Sequence, residues 1–145
     1  MYYLLETLSL RTHCIASNTA YEVWAILSLK NGNIYMGYSR KTWPKEHAEE
    51  EVFSEALRQG ETMETISWAT LYSSLEPCNP RATDGKIACA LLSVKYDIER
   101  VVIADREDAT LVEKCLWVSH LLEHGIIVDY YPIAQGIHSK WKIKK

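Results

Sequence analysis

Short apolar runs alternate with amphipathic segments through the second half of the sequence, and this alternation constrains the fold more than any other feature. Apolar runs at 69–75, 101–104 and 126–130 predict three strands. Helical patterns at 87–95 and 110–123 separate them. A helix between two strands favours a right-handed crossover that joins parallel neighbours. We therefore expect an α/β fold in which the fourth and fifth strands of the chain are parallel.

The first half of the sequence supplies the remaining elements. Leucines at helical spacing predict a helix over 2–13, and the apolar run at 22–29 predicts a buried strand. An Asn-Gly-Asn turn at 31–33 leads into a second strand at 34–38, which indicates an antiparallel hairpin. A helix follows, and its predicted apolar face comprises Ala48, Val52, Phe53, Ala56 and Leu57. Together these elements predict a three-layer α/β/α fold with a mixed five-stranded sheet and helices on both faces.

Composition narrows the class of protein. The chain has 145 residues, which is typical of one domain spanning 1–145, and 48% of them are hydrophobic. A net charge of −3 argues against binding to long nucleic acid through phosphates. The first ten residues carry Glu6 and lack the basic start of a signal peptide, and no apolar run is long enough for a membrane span. We therefore expect a cytoplasmic protein without a membrane partner.

Four residues form a pattern that suits a metal. His47, Cys78 and Cys89 offer one imidazole and two thiolates, and a catalytic zinc site uses three such ligands and keeps one position open. Residues two apart diverge on a regular helix, so His47 and Glu49 converge only at a helix start. Pro44 and the apolar face that begins after His47 place them there. The pattern predicts a zinc site with Glu49 as the catalytic residue.

These residues also have simpler explanations. Glu49 could stabilise the positive end of a helix, a role that we assign instead to Glu50 and Glu51. Cys78 and Cys89 could be buried free thiols, as cysteines in a core often are. That interpretation leaves the order of the motifs along the chain unexplained.

The order of the motifs resembles a known signature. His-x-Glu followed by Pro-Cys and a further Cys is similar to the pattern of the zinc deaminases in the cytidine deaminase superfamily. Residues 70–78 (TLYSSLEPC) and 99–104 (ERVVIA) resemble segments of the riboflavin-biosynthesis pyrimidine deaminases. The sequence differs from the superfamily pattern and from the riboflavin enzymes in the segment between its two cysteines. Ten residues separate Cys78 from Cys89, and they lack the His-Gly-Arg-Thr segment of the riboflavin enzymes.

The resemblance implies a cytidine deaminase-like fold and a zinc-dependent hydrolytic deaminase that releases ammonia from a small pyrimidine-type base, nucleoside or nucleotide. It also implies a homo-oligomer, either a dimer or a tetramer. Two alternatives stay open at this point. One is an editing deaminase for tRNA or single-stranded nucleic acid, and the other is a catalytically silent subunit that keeps the zinc fold.

Substrate contacts also follow from the resemblance. The Ala48 backbone N–H would hold a ring oxygen, and the Glu76 carbonyl would hold the amine. Asn18 resembles a substrate-binding asparagine, although a loop asparagine often only forms a turn. Arg81 lies between the two cysteines and is the expected contact to a phosphate or sugar, with a solvated loop charge as the alternative.

Overall fold

The computed structural model describes residues 23–39, 41, 46–75, 88–105 and 117–131. The helix predicted for 2–13 lies outside these ranges, as does the first part of the helix predicted for 110–123. The described elements are, in chain order, β1 (Trp24–Ser28), β2 (Ile34–Tyr38), α1 (Ala48–Arg58), α2 (Met63–Ile66), β3 (Thr70–Ser73), α3 (Cys89–Lys95), β4 (Arg100–Ile103), α4 (Trp117–Glu123) and β5 (Ile127–Tyr130).

The strands form one mixed sheet of five in the order β2-β1-β3-β4-β5. Strand β1 is antiparallel to both β2 and β3, so the predicted hairpin is confirmed. Strands β3, β4 and β5 are parallel neighbours, which confirms the prediction for the fourth and fifth strands. Strand β3, which contains the first four residues of the TLYSSLEPC segment, is therefore the central one, with a partner on each side.

Three connections carry the chain across this sheet in the same direction. Helix α1 joins β2 to β3, α3 joins β3 to β4, and α4 leads into β5. Each connects parallel strands, so the right-handed rule places all three helices on one face. The main core lies between them and the sheet, with Leu27, Val52, Phe53, Leu71, Val101, Ile103 and Leu121 among its members.

The opposite face of the sheet is also shielded from solvent. Trp24, Ile26 and Val102 alternate with the helix-facing residues of their strands, and all three are buried. The prediction that Trp24 belongs to the core is confirmed. Both faces are covered, as a three-layer arrangement requires. Within the described ranges, every helix is too short or too polar to span a bilayer.

Two local features differ from the sequence prediction. Leu57 was expected on the buried face of α1, but it is 40% exposed. Its neighbours up to Gly60 are exposed as well, so the end of α1 is open to solvent. Gly60 follows the helix with a φ of 97°, as predicted for a glycine that ends a helix. The short helix α2 was not predicted. Its N-cap is Thr62, whose side chain accepts a hydrogen bond from the Thr65 backbone N–H.

Candidate metal and catalytic site

The candidate site lies where α1 and α3 begin, beside the carboxyl end of β3. His47 is the N-cap of α1 and has an extended backbone, with φ −88° and ψ 154°. Its backbone N–H donates to Glu50 Oε2 at 3.1 Å. Glu50 therefore stabilises the helix terminus, as predicted. The half-buried imidazole of His47 projects from the point at which the chain enters the helix.

Cys89 is the first residue of α3 and is fully buried. Its Sγ lies 3.3 Å from Nδ1 of His47. Two ligands of one tetrahedral zinc, one sulfur and one nitrogen, are expected to lie about 3.5 Å apart, given the usual Zn–S and Zn–N bond lengths. The spacing and the chemistry of this pair therefore fit the metal that the sequence predicts.

Glu49 completes the group on its inner side. It is only 3% exposed, and its Oε1 accepts a hydrogen bond from Ser73 Oγ at 3.2 Å. One ligand atom each from His47, Glu49 and Cys89 lie within 4.8 Å of one another. The predicted convergence of two residues spaced i, i+2 at the start of a helix is thus seen in the structure. A buried acid beside a nitrogen and a thiol can exchange protons with a small molecule held there.

The position of α1 depends on a close contact that the sequence analysis missed. A Cβ atom on Gly37 of β2 would lie 3.0 Å from the Ala48 carbonyl oxygen and from Cβ and Cγ of Glu51. Glycine therefore lets the first turn of α1, which carries Glu49, lie directly against β2.

Glu51 has a different role from the predicted one. It was assigned to the helix terminus, but its side chain is fully buried, and its Oε1 lies 2.5 Å from Arg58 Nη2 and 3.7 Å from Lys41 Nζ. The signal for this pairing is the seven-residue spacing, since residues two turns apart share one helix face. The buried carboxylate is thus paired within α1 and with the segment that precedes it.

The remaining predicted site residues fall into two groups. Ala48 is buried at the first position of α1. The others lie outside the described residues, so their roles stay predictions; they are Asn18, Glu76, Cys78 and Arg81.

Comparison with known proteins agrees with this geometry. Residues 2–105 match the family model described as the cytidine and deoxycytidylate deaminase zinc-binding region. The chain is 33% identical over 127 residues to a diaminohydroxyphosphoribosylamino-pyrimidine deaminase of Schizosaccharomyces pombe. The match covers 87% of this chain but only 30% of that relative. The chain thus spans less than a third of the length of this relative.

Solved structures share the fold. The Aspergillus oryzae Rib2 deaminase, a C-terminal deletion mutant, superposes with a TM-score of 0.77 at 21% identity, over 97% of this chain and 87% of that one. The Thermotoga maritima diaminohydroxyphosphoribosylaminopyrimidine deaminase/reductase gives 0.75 at 22% identity, over 98% of this chain and 38% of that one. The predicted cytidine deaminase-like fold is confirmed. The chain belongs to the cytidine and deoxycytidylate deaminase family, whose zinc-binding region it carries.

Proposed function

We propose that this protein is a zinc-dependent hydrolytic deaminase for a small pyrimidine-type substrate. The observation that carries the proposal is the 3.3 Å approach of His47 Nδ1 to Cys89 Sγ beside the buried carboxylate of Glu49. The side chains of this site come from three different elements: the start of α1, the start of α3 and the end of β3. Such convergence supports a catalytic site better than it supports a chance meeting of core residues.

In this proposal His47 and Cys89 hold zinc together with Cys78. Bound zinc supplies a Lewis acid that lowers the pKa of water to about 7. Cys78 follows β3 by five residues in the sequence, so the proposal places it near the strand end that carries Ser73. This is the end of a parallel strand at which α/β proteins place their ligands.

Glu49 is the proposed proton carrier. Its carboxylate accepts a proton from water and passes it to the ring nitrogen next to the amine-bearing carbon. It then accepts the proton of the hydroxyl group newly bound to that carbon and passes it to the amine, which leaves. Water thus replaces the amine, and the products are a ring carbonyl and ammonia. Burial keeps bulk water away from Glu49, so its protons go to the substrate rather than to solvent.

Ala48 is the proposed anchor for a substrate oxygen. As the first residue of α1, it has a backbone N–H without an acceptor inside the helix. The N terminus of a helix also favours partial negative charge on a bound group. The family resemblance adds the Glu76 carbonyl as the partner of the substrate amine.

The proposed substrate is a pyrimidine nucleotide with a ring amine, of the kind that gives the S. pombe relative its name. Asn18 and Arg81 are the proposed contacts beyond the base, with Arg81 on a phosphate. The proposal includes a homo-oligomer, a dimer or a tetramer, in the cytoplasm, where cysteines remain reduced and available to metal.

An ammonia-release screen tests the proposal. The zinc-loaded protein is incubated separately with diaminohydroxyphosphoribosylaminopyrimidine, its dephosphorylated riboside, deoxycytidylate, cytidine, guanine and a single-stranded oligonucleotide. We expect the fastest release from the phosphorylated aminopyrimidine. Release from the oligonucleotide alone would replace the proposal with an editing deaminase. No release from any compound, with one zinc per chain, would indicate a catalytically silent subunit.

A further inference from the structure

The hydroxyl group of Ser73 forms a hydrogen bond with the side chain of Glu49. Ser73 is the last residue of β3, and it is fully buried. In the sheet it is paired with Ala25 of β1 on one side and with Ile103 of β4 on the other. Its carbonyl also accepts a hydrogen bond from the Ala104 N–H at 3.1 Å. Ser73 is therefore held by both neighbouring strands of the central strand.

The direction of the hydrogen bond follows from chemistry. An ionised carboxylate can only accept, so the Ser73 hydroxyl donates to Oε1 of Glu49 over the 3.2 Å that separates them. A donor fixed to the sheet limits rotation of the Glu49 carboxyl group.

We propose that Ser73 is a positioning residue that holds the Glu49 carboxyl group in the orientation in which it exchanges protons with the substrate. The inference rests on the proposed function, because it assigns a role to a neighbour of the proposed catalytic residue. Ser73 acts through Glu49 and needs no contact with the substrate.

The proton balance is simple. Glu49 takes one proton from water and gives it to the ring nitrogen. It then takes the proton of the new hydroxyl group and gives it to the leaving amine, while the Ser73 hydroxyl keeps its own proton throughout. Oε1 remains an acceptor in both states of Glu49, as a carboxylate oxygen and then as the carbonyl oxygen of the acid. The hydrogen bond therefore persists through the cycle and keeps the group oriented at each transfer.

Three variants at this position separate orientation from packing. Ser73→Ala removes the donor, and we expect kcat to fall about ten- to a hundredfold, the value of a hydrogen bond to a charged group, with KM and zinc content unchanged. Ser73→Thr and Ser73→Val have nearly the same shape, but only threonine keeps the hydroxyl. We expect threonine to retain at least about ten times the kcat of valine. Equal kcat in the threonine and valine variants would overturn the proposal.

Ser39→Ala serves as the matched control for loss of a buried serine. Ser39 is buried and bonds to the backbone N–H and carbonyl of Val23, away from Glu49. We expect this control to lower the melting temperature without lowering kcat. If Ser39→Ala and Ser73→Ala lower kcat equally, Ser73 has only a structural role.

A double-mutant cycle provides the final test and a readout of stability. Ser73→Ala is made in the wild type and in the Glu49→Ala variant. Its effects on the rate and on the free energy of unfolding should be smaller in the Glu49→Ala variant, because the partner of Ser73 is absent there. Additive effects would refute the coupling. An inactive wild-type protein would instead refute the proposed function, and the unfolding cycle would still report whether the two side chains interact.

Discussion

Replacing Gly37 with alanine tests how the sheet positions the catalytic helix. The new methyl group would lie 3.0 Å from the Ala48 carbonyl oxygen and from Cβ and Cγ of Glu51. Since ordinary carbon contacts are about 3.5–4.0 Å, the first turn of α1 must move by several tenths of an ångström. That turn carries Glu49 and follows His47 directly. The substitution should therefore affect both stability and the site.

The magnitude can be worked from two opposing terms. An extra methyl group in a well-packed region costs about 1–3 kcal/mol. Alanine is favoured over glycine in a strand by about 0.5–1 kcal/mol, since it loses less backbone entropy on folding. The midpoints of these ranges leave a net loss of unfolding free energy of roughly 1.2 kcal/mol, with limits of roughly 0 and 2.5 kcal/mol. At about 2–4 °C per kcal/mol for a domain near this size, the melting temperature should fall by about 2–5 °C, and by no more than about 10 °C.

Thermal unfolding of the zinc-loaded protein is the assay, with zinc content and ammonia release measured on the same samples. Met36→Ala is the matched control, because Met36 is the preceding residue of β2 and is 50% exposed. We expect Met36→Ala to leave the melting temperature and the rate nearly unchanged. A Gly37→Ala protein as stable and as active as the wild type would show that α1 does not lie against β2 as described.

Three further predictions concern charge. Arg58→Met should lower the free energy of unfolding by about 1–2 kcal/mol, because the buried Glu51 loses the cation that lies 2.5 Å away, and Lys41 is more distant at 3.7 Å. The 48% exposure of Arg58 limits the effect, and an unchanged urea midpoint would contradict the buried pair. Hydrogen bonds from Thr65, Asn33 and Tyr35 lower the pKa of Glu61 from 4.5 to about 2. The stabilisation that these hydrogen bonds provide is complete above pH 4.5 and is lost as the pH falls towards 2. Glu61→Gln should therefore weaken the pH dependence of the free energy of unfolding between these two values. A ¹³C titration of the Glu61 carboxyl group with a midpoint near 4.5 would contradict the network. Arg81→Ala should raise KM for a phosphorylated substrate by a factor equivalent to about 1.5–3 kcal/mol, and should raise KM for the corresponding nucleoside by less. Lys86→Ala is the control in the same loop. Equal KM values for the two variants would show that Arg81 has no role in substrate recognition.

The sequence predicted those parts of the fold that depend on neighbouring residues. Hydrophobic periodicity and the Asn-Gly-Asn turn are local signals, and they located all five strands to within two residues. The parallel pairing of the fourth and fifth strands followed from the helix between them. The approach of His47 to Cys89 followed from motif order, since the chemistry of one metal requires both residues in one place.

Other features depend on contacts between distant segments, and a single sequence does not reveal them. Gly37 precedes Ala48 by eleven residues, and only the packing of α1 on β2 explains its lack of a side chain. Ser73 reaches Glu49 because the register of the central strand places it there. Leu57 fits the helical pattern, but its exposure depends on which segments of the folded protein pack against the end of α1.

The rate of ammonia release by the wild type and by Glu49→Gln tests the central claim most directly. Both proteins carry the same fold and the same metal-binding side chains, so zinc per chain is measured first and should be equal. The amide of glutamine cannot exchange protons as a carboxylate does. The account predicts that the rate of Glu49→Gln on the phosphorylated aminopyrimidine is lower than the wild-type rate by a factor of at least about 10²–10⁴. A Glu49→Gln protein with wild-type zinc content and a near wild-type rate would contradict it.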